Sequence, residues 1–446
     1  MKYFLVMIIS LFSIHALAQD DGKVSIIAVG EAQDEKDRLL IGKILVVGAL
    51  TDPLQKSLKE IETLIKNDLA FYKHRIESIE IEANLAKPDW ENHADKRYQV
   101  GLWAKASGKG VEVTAEVWDG LKKESLGRET IQASGTSLRD QGHKLSDWIY
   151  TKVTGKKSIF LSKIIFVSDR TSQGKDTKKE LYSMDFDGRR VERLTFFNST
   201  VISPSVSPDN KNIIFSVIQS HVQTDRKNKS TKNIDLMIYN RETKKSITVS
   251  GHPGINSGAV YSADGKSIYF TLSKSGNADI YEMDLASKNL RQVTNHYAED
   301  VDPTVTADGS YMSFLSNRAG KAHIYVMDPR GVEKDVRRIS FVGQFNAAPR
   351  FSPDGRSIVF TSWVDQGFDL YRIDSQGNNL ARLTKNFGSN EEPWWSPDGE
   401  FVIFTSQRVI NRSKALQDIY IMNRDGEIVG QLTQDFGLCF SPRWTN

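Results

Sequence analysis

The sequence predicts a small α/β amino-terminal domain followed by an all-β, six-bladed β-propeller. Three observations lead to this fold class. A turn motif recurs at a nearly fixed interval, each copy lies in a unit of four strand-like runs, and an incomplete unit is matched by a lone strand-like run near the carboxyl end. A period of roughly 40–45 residues with four short strands is typical of a propeller blade.

The recurring turn is SPDG or a close variant, as in FSPDGRSIVFTS (351–362) and WSPDGEFVIFTS (395–406). Its aspartates are 55, 44, 46 and 44 residues apart, at Asp209, Asp264, Asp308, Asp354 and Asp398. Serine, proline and glycine suit the first, second and fourth positions of a type I turn. Because one active site does not need five copies, we interpret these aspartates as turn residues and not as catalytic ones.

Each turn is followed by an apolar β-rich run, a second such run and, in most copies, a short strand ending near RLT. Complete units occupy 390–437, 345–389, 300–344, 256–299 and 200–255, and a partial unit at 162–195 lacks the opening turn and strand. The carboxyl-terminal CFSPRW resembles the missing piece. We therefore predict that it completes the first blade and closes a ring of six, which also hides unpaired strand edges.

The region 19–157 has a different pattern, and 158–446 is assigned to the propeller. KVSIIAVG and KILVVGAL predict strands, and apolar residues at helical spacing in DPLQKSLKEIETLIKNDLAFYKHRI predict a helix with Pro53 in its first turn. YQVGLWAKAS and GVEVTAEVWD predict a hairpin, and TSLRDQGHKLSDWIYTKVTG predicts a helix ending at Gly155. This mixture predicts a small α/β domain beside the propeller.

The first 18 residues, MKYFLVMIISLFSIHALA, have the features of a signal peptide: Lys2, an apolar run, and Ala16 and Ala18 in an A-x-A arrangement. We expect a mature, exported chain that begins at Gln19. No other stretch approaches the roughly 20 apolar residues of a membrane-spanning helix, so no transmembrane segment is expected in the mature chain. The single cysteine, Cys439, cannot form an internal disulfide and is predicted to be buried.

Charge and motifs argue against two classes of function. The net charge is +3 without a long basic block, whereas nucleic-acid binding usually needs a concentrated Lys/Arg patch. The chain has neither a G-x-S-x-G nucleophile motif nor an H-E-x-x-H metal motif, and its eight histidines form no convincing ligand cluster. We therefore predict no nucleic-acid partner, no catalytic residue, no cofactor and no metal.

The segments that join one blade to the next are predicted to gather around the central channel. They combine aromatic, amide and acidic residues: Tyr297, Glu299, Asp300, Asp302, Phe345, Asn346, Asn390, Glu391, Glu392 and Trp394. Aromatic anchors with a polar rim are typical of a protein-binding surface. Two alternatives remain open. In the first, one of Trp394 and Trp395 packs between blades and the acidic side chains are simply solvent-exposed loop residues. In the second, the acidic side chains hold a Ca²⁺ ion, although they lack a ligand pattern.

Two segments resemble the TolB family of the bacterial Tol-Pal system, whose propellers consist of WD40-like (PD40) repeats. They are LSDWIYTKVTGKKSIFLSKIIFVS at the domain junction and YSADGKSIYFTLSKSGNADIYEMDLASKNLRQVT in the third blade, and the resemblance covers essentially the whole mature chain. It implies a monomeric, non-enzymatic adaptor in the periplasm that supports outer-membrane integrity and envelope constriction at cell division.

The resemblance also implies partners. The lipoprotein Pal would bind the propeller mouth, which is the set of joining segments around the central channel. TolA would bind the extreme amino terminus. Other outer-membrane or peptidoglycan-associated proteins are further candidate partners. The amino-terminal segment contains Lys23, Val24 and Ile26 and is short, apolar and free of proline, so it could add to a sheet edge in a partner. The competing hypothesis is a periplasmic propeller that binds a small ligand or glycan in its central channel.

Overall fold

The computed structural model describes residues 36–93, 97–172, 177–222, 230–411 and 414–445. The predicted signal peptide and the predicted strand KVSIIAVG lie outside these ranges. None of the helices within them is both long and apolar enough to cross a membrane.

The small domain is a mixed sheet with two helices packed on it, in the strand order β3-β1-β4-β5-β6, with β2 paired to β4. Its strands are β1 (Asp37–Lys43), β2 (Leu45–Val46), β3 (Ile76–Asn84), β4 (Tyr98–Ser107), β5 (Gly110–Asp119) and β6 (Glu124–Ala133). The helices are α1 (Asp52–Phe71), with a proline in its first turn, and α2 (Leu138–Thr154), which ends at the left-handed Gly155. Both helices and the β4–β5 hairpin agree with the sequence prediction.

One predicted strand of this domain is displaced. KILVVGAL was expected to form a strand, but within it only Lys43, the last residue of the longer strand β1, and Leu45–Val46 are in strands. The reason is burial. Leu39, Leu40 and Ile41 of β1 lie between β3 and β4 in the middle of the sheet, whereas Val46 is substantially exposed.

The described residues include six four-stranded antiparallel sheets, the blades of the propeller. Blade 1 begins with β7 (Lys163–Ser168), β8 (Glu180–Asp185) and β9 (Glu192–Arg193). Blade 2 has β10 (Thr200–Val206), β11 (Asn212–Val222), β12 (Ser230–Asn240) and β13 (Lys245–Ser250). Blade 3 has β14 (Asn256–Tyr261), β15 (Ser267–Leu272), β16 (Asp279–Asp284) and β17 (Leu290–Gln292).

Blade 4 has β18 (Asp300–Val305), β19 (Met312–Ser316), β20 (His323–Met327) and β21 (Arg337–Arg338). Blade 5 has β22 (Asn346–Phe351), β23 (Ser357–Val364), β24 (Gly367–Asp374) and β25 (Ala381–Arg382). Blade 6 has β26 (Ser389–Trp395), β27 (Phe401–Asn411), β28 (Lys414–Asn423) and β29 (Ile428–Gln431). The strand β30 (Cys439–Trp444) pairs with β7, so the first strand of blade 1 comes from the carboxyl end of the chain. The predicted six-bladed fold is confirmed.

The first strand of each blade contacts the first strands of both neighbouring blades, so these six described strands surround the central channel. We call them the inner strands: β10, β14, β18, β22, β26 and β30. Between adjacent blades, buried side chains of both blades, including some from the inner strands, form separate apolar clusters. The ring is therefore held together by contacts between neighbouring blades.

Hydrogen bonds explain why the SPDG turn recurs. In the turn of blade 5, Ser352 Oγ donates to Asp354 Oδ1 at 2.6 Å, and the same oxygen accepts from the amide of Arg356 at 3.1 Å. The other four turns repeat this pattern with their own aspartates. This confirms that the five aspartates shape turns.

The hydroxyl residue that ends the RLT-type motif connects the end of the fourth strand to the third strand in five of the described blades. Thr384 Oγ1 accepts from the amide of Leu370 at 2.9 Å and donates to Asp369 at 2.7 Å. The same acceptor position is filled in other blades by Thr195, Thr294, Ser340 and Thr433. The motif therefore recurs because the third strand of a blade needs this hydroxyl partner.

The small domain packs against the SPDG side of blades 1 and 6. The Tyr72 hydroxyl donates to the carboxylate of Asp398, and Arg75 donates to both carboxylate oxygens of Glu400 at 3.0 Å. Phe186 of blade 1 packs on Phe71, with ring centres 5.2 Å apart. One turn aspartate, Asp398, thus has a second role as a domain contact.

This interface predicts a pH dependence of stability. Burial would raise the pKa of the Glu400 carboxyl, but hydrogen bonds from His74 and Arg75 outweigh it and lower the pKa to about 2. A lowered pKa stabilises the folded state above the ordinary value of 4.5, and this contribution is lost as pH falls towards 2. We expect Glu400→Gln to unfold at lower urea concentration than the wild type at pH 7, with a difference that shrinks below pH 4.5.

The matched control is Glu242→Gln, which removes an exposed carboxylate paired with Lys211 on the propeller surface. It should change stability little at any pH, because exposed ion pairs contribute at most about 1 kcal/mol. A Glu400→Gln defect that stays the same from pH 7 to pH 2 would contradict the assignment of the ion pair as its cause.

Candidate functional site

The two faces of the propeller differ in what they carry. Strands alternate in direction along each blade, so the connections after the second and fourth strands share one face, which we call the mouth face. The SPDG turns lie on the opposite face, which we call the turn face. Because Asp398 and Glu400 on the turn face contact the small domain, that domain packs on the side away from the mouth face.

Three of the predicted residues are exposed on the mouth face. Tyr297 is 86% exposed and stacks on His296 with ring centres 4.2 Å apart. Phe345 is 42% exposed and lies edge-on to Phe368 at 6.1 Å. Glu299 is exposed beside Tyr297. These side chains are accessible to a partner.

Sequence reasoning missed three further aromatic residues on this face. Phe196 and Phe341 are 69% and 71% exposed, and Trp363, near the turn between the second and third strands of blade 5, is 40% exposed. Arg193 and Arg338 place their guanidinium carbons 4.4 and 4.5 Å from the ring centres of Phe196 and Phe341. A signal was present: both phenylalanines directly follow the RLT-type motif, in RLTF and RISF.

Three predicted residues lie beneath the surface. Asp300 and Asn346 are the first residues of their inner strands, Asn390 is the second residue of its strand, and all three are 0% exposed. Asp300 pairs with Arg318 at 2.8 Å, Asn346 donates to the carbonyl of Val342 at 2.9 Å, and Asn390 donates to Asp369 at 3.2 Å. Their buried hydrogen bonds stabilise the segments that join the blades, and their side chains are not accessible to a partner.

Asp302 and Glu392 occupy a bulge that each inner strand repeats. Both have positive φ, 55° and 54°, where the pairing with the second strand shifts register. A bulge re-aims the side chain it carries. Asp302 reaches Arg350 of the next blade at 2.8 Å, and Glu392 accepts from both the amide and the hydroxyl of Ser441 at 2.6 Å. These two acids therefore link neighbouring blades.

Glu391 and Trp394 lie in blade 6 on either side of this bulge. Burial, and then the charge of Glu392, raise the pKa of the Glu391 carboxyl to about 7. Trp394 contacts the guanidinium groups of Arg350 and Arg443, at 5.4 and 4.7 Å from its ring centre. Trp395 is the tryptophan of this pair that is buried between blades, where its Nε1 donates to the carbonyl of Arg350 at 3.2 Å.

The remaining predictions concern the amino terminus, metals and the cysteine. Lys23, Val24 and Ile26 lie outside the described residues. Within the described ranges, no group of three or more His, Cys, Asp or Glu side chains is arranged to hold a metal ion. Cys439 is buried, as predicted, and this burial raises the pKa of its thiol to about 12.

Comparisons with known proteins agree with this architecture. The family model described as PD40, TolB beta propeller domain, matches residues 150–362 and 334–412. The chain is 30% identical over 167 residues to the Tol-Pal system protein TolB of Alcanivorax borkumensis, covering 37% of this chain and 36% of that one. It is 28% identical over 212 residues to the Tol-Pal system protein TolB of Ruthia magnifica subsp. Calyptogena magnifica, covering 47% of each. Both matched segments span less than half of the relative's length.

A solved structure extends the likeness to the whole fold. The crystal structure of TolB from Acinetobacter baumannii superposes with a TM-score of 0.73 at 24% identity, covering 93% of this chain and 97% of that one. At this identity the superposition establishes the fold alone.

Proposed function

Since the chain belongs to the TolB β-propeller domain family, we propose that it is a non-enzymatic, monomeric adaptor of the Tol-Pal system in the periplasm. It is exported by the signal peptide at 1–18 and binds Pal at the mouth face and TolA through its amino terminus. In this role it supports outer-membrane integrity and envelope constriction at cell division.

The observation that carries the proposal is the set of exposed aromatic rings on the mouth face. Phe196, Tyr297, Phe341, Phe345 and Trp363 come from the connections of several blades. Large aromatic side chains cost little conformational entropy to immobilise, and those that anchor an interface are usually few. The surrounding arginine and carboxylate groups supply a polar rim.

The position of the small domain supports the same assignment. Its contacts with the propeller lie on the turn face, through Tyr72, Arg75 and Phe71. The described part of the small domain therefore does not cover the mouth face. Some carboxylates of the predicted set already have partners within the protein: Asp302 forms an ion pair with Arg350, and Glu392 accepts a hydrogen bond from Ser441. The proposed contact surface therefore rests on the exposed aromatic residues, Glu299 and Glu391.

Isothermal titration of the mature protein with the soluble domains of Pal and TolA tests both sites. We expect binding to each, and we expect a variant lacking residues 19–24 to lose TolA while retaining Pal. Retention of TolA by that variant would refute the amino-terminal site. Absence of Pal binding by the full mature chain would refute the mouth site and favour the competing hypothesis of a small ligand or glycan in the channel.

A further inference from the structure

The channel contains two buried arginines at equivalent positions. Arg350 and Arg443 are the fifth residues of the inner strands β22 and β30, and they are 5% and 4% exposed. Trp394 takes the equivalent position in the blade between them: it is the fifth residue counted from Asn390, the second residue of β26. Both guanidinium groups pack on its indole, at 5.4 and 4.7 Å from the ring centre. Trp394 itself is partly exposed, so this cluster borders open space.

Charged groups of three other blades affect the pKa of Arg443. Burial, and then the charge of Arg350, lower the pKa of Arg443 to about 9, while Glu392 and Asp302 act in the opposite direction. These three groups belong to blades 5, 6 and 4, and blade 4 lies opposite blade 1 in the ring. At neutral pH Arg443 is still a cation.

The two arginines differ in their partners, although their backbone surroundings are alike. Each donates Nη1 to the carbonyl of the preceding proline, Arg350 at 2.6 Å and Arg443 at 2.8 Å. Arg350 also donates Nη2 to Asp302, the bulge residue of the preceding blade, at 2.8 Å. The corresponding bulge residue for Arg443 is Glu392, whose two oxygens instead accept from Ser441 at 2.6 Å.

This difference leaves Arg443 without an anionic partner in the structure. Among the described residues, Arg443 forms no ion pair within 4.0 Å, and its hydrogen bond is to the Pro442 carbonyl. Arg350 Nε is also buried and has no acceptor in the described part of the chain. A buried cation that forms no ion pair is unfavourable, and guanidinium groups bind carboxylates through parallel N–H donors. We propose that the channel binds one carboxylate group, held by Arg443 and by Nε of Arg350 beside Trp394.

The charge of the site favours a singly charged ligand. Asp302 and Glu392 lie close enough to influence Arg443, and both would repel a second negative charge on the ligand. A carboxylate therefore fits better than a dianionic phosphate. It could belong to a free small acid or to an acidic side chain of a bound protein, and the two sources share this chemistry.

Ligand-observed NMR on the mature protein tests the site. The probes are sodium acetate and the peptide acetyl-Gly-Glu-Gly-amide, with acetyl-Gly-Gln-Gly-amide as the uncharged control. We expect acetate to broaden in a saturable way and Arg443→Met to weaken its binding at least tenfold. Tighter binding of the glutamate peptide than of acetate would assign the site to a protein side chain, whereas binding of acetate alone would assign it to a free acid.

The control variant is Arg356→Met, which removes an exposed arginine from the turn face and should leave acetate binding unchanged. Thermal melting provides a second measurement. Because the unpaired cation is costly, we expect Arg443→Met to melt at the wild-type temperature or above it. Replacing chloride by acetate at equal ionic strength should raise the melting temperature of the wild type but not of this variant. Equal acetate binding by wild type and Arg443→Met, or a marked fall in the melting temperature of Arg443→Met, would overturn the proposal.

Discussion

Removal of residues 438–446 is expected to destabilise the propeller strongly. The deletion takes away β30, the inner strand of blade 1, with its buried Cys439 and Trp444. Loss of one buried tryptophan side chain alone typically costs about 3–5 kcal/mol. The deletion also exposes the edge of β7 and removes the contacts of blade 1 with blade 6, including the bonds from Ser441 to Glu392. We expect a melting temperature at least about 10 °C lower, or aggregation.

Complementation distinguishes this explanation from general damage at the chain end. A synthetic peptide with the sequence of residues 438–446 should restore part of the lost stability when added in excess, because it can pair with β7. A peptide of scrambled sequence should have no effect. An unchanged melting temperature after the deletion would mean that β30 contributes little to ring closure.

Replacement of Tyr297, Phe341 and Phe345 together with alanine is expected to weaken Pal binding by at least about 2 kcal/mol, or roughly 30-fold. The three rings are exposed on the mouth face, so their removal should leave the melting temperature nearly unchanged. Isothermal titration would measure the affinity. This design avoids Trp394, whose packing between two arginines would mix stability with binding.

The matched control removes apolar side chains from the opposite face. Tyr311 and Val332 lie in the turns after the first and third strands of blade 4 and are 44% and 55% exposed. Their double replacement by alanine should leave Pal binding intact. If the mouth variant is folded and binds Pal with wild-type affinity, the mouth face is not the Pal site. If the control weakens binding equally, the contact lies on the turn face.

The repeat architecture could be predicted because its causes are local. The SPDG turn and the RLT hydroxyl act over a few residues or within one blade, as in the bonds from Ser352 to Asp354 and from Thr384 to Asp369. Alternating apolar runs then specify the strands between them. The helices α1 and α2 could be predicted for the same reason, because their apolar residues recur at helical spacing within a short segment.

The differences between the structure and the sequence analysis concern which residues are buried, and the local sequence pattern does not reveal that. Leu39–Ile41 lie in strand β1, whereas the sequence analysis expected the strand in KILVVGAL, because pairing on both sides by β3 and β4 decides which apolar run is buried. Asp300, Asn346 and Asn390 resemble surface residues in sequence. The structure buries them because each lies at the start of an inner strand, where it contacts the preceding blade: Asn390 donates to Asp369 of blade 5, and Asn346 donates to the carbonyl of Val342, which follows the last strand of blade 4.

The sequence by itself determined the six blades, the α/β character of the first domain and the segments that surround the mouth. Only the tertiary structure decided which of the mouth side chains are accessible and which charges are paired. Asp302 meets Arg350 across 48 positions of sequence, and Glu392 meets Ser441 across 49. Those pairs depend on the angle between adjacent blades and on the bulge in each inner strand. That geometry determines which charged groups pair, and it leaves the Arg443 cation without an ion pair among the described residues. The local sequence contains no pattern that predicts either result.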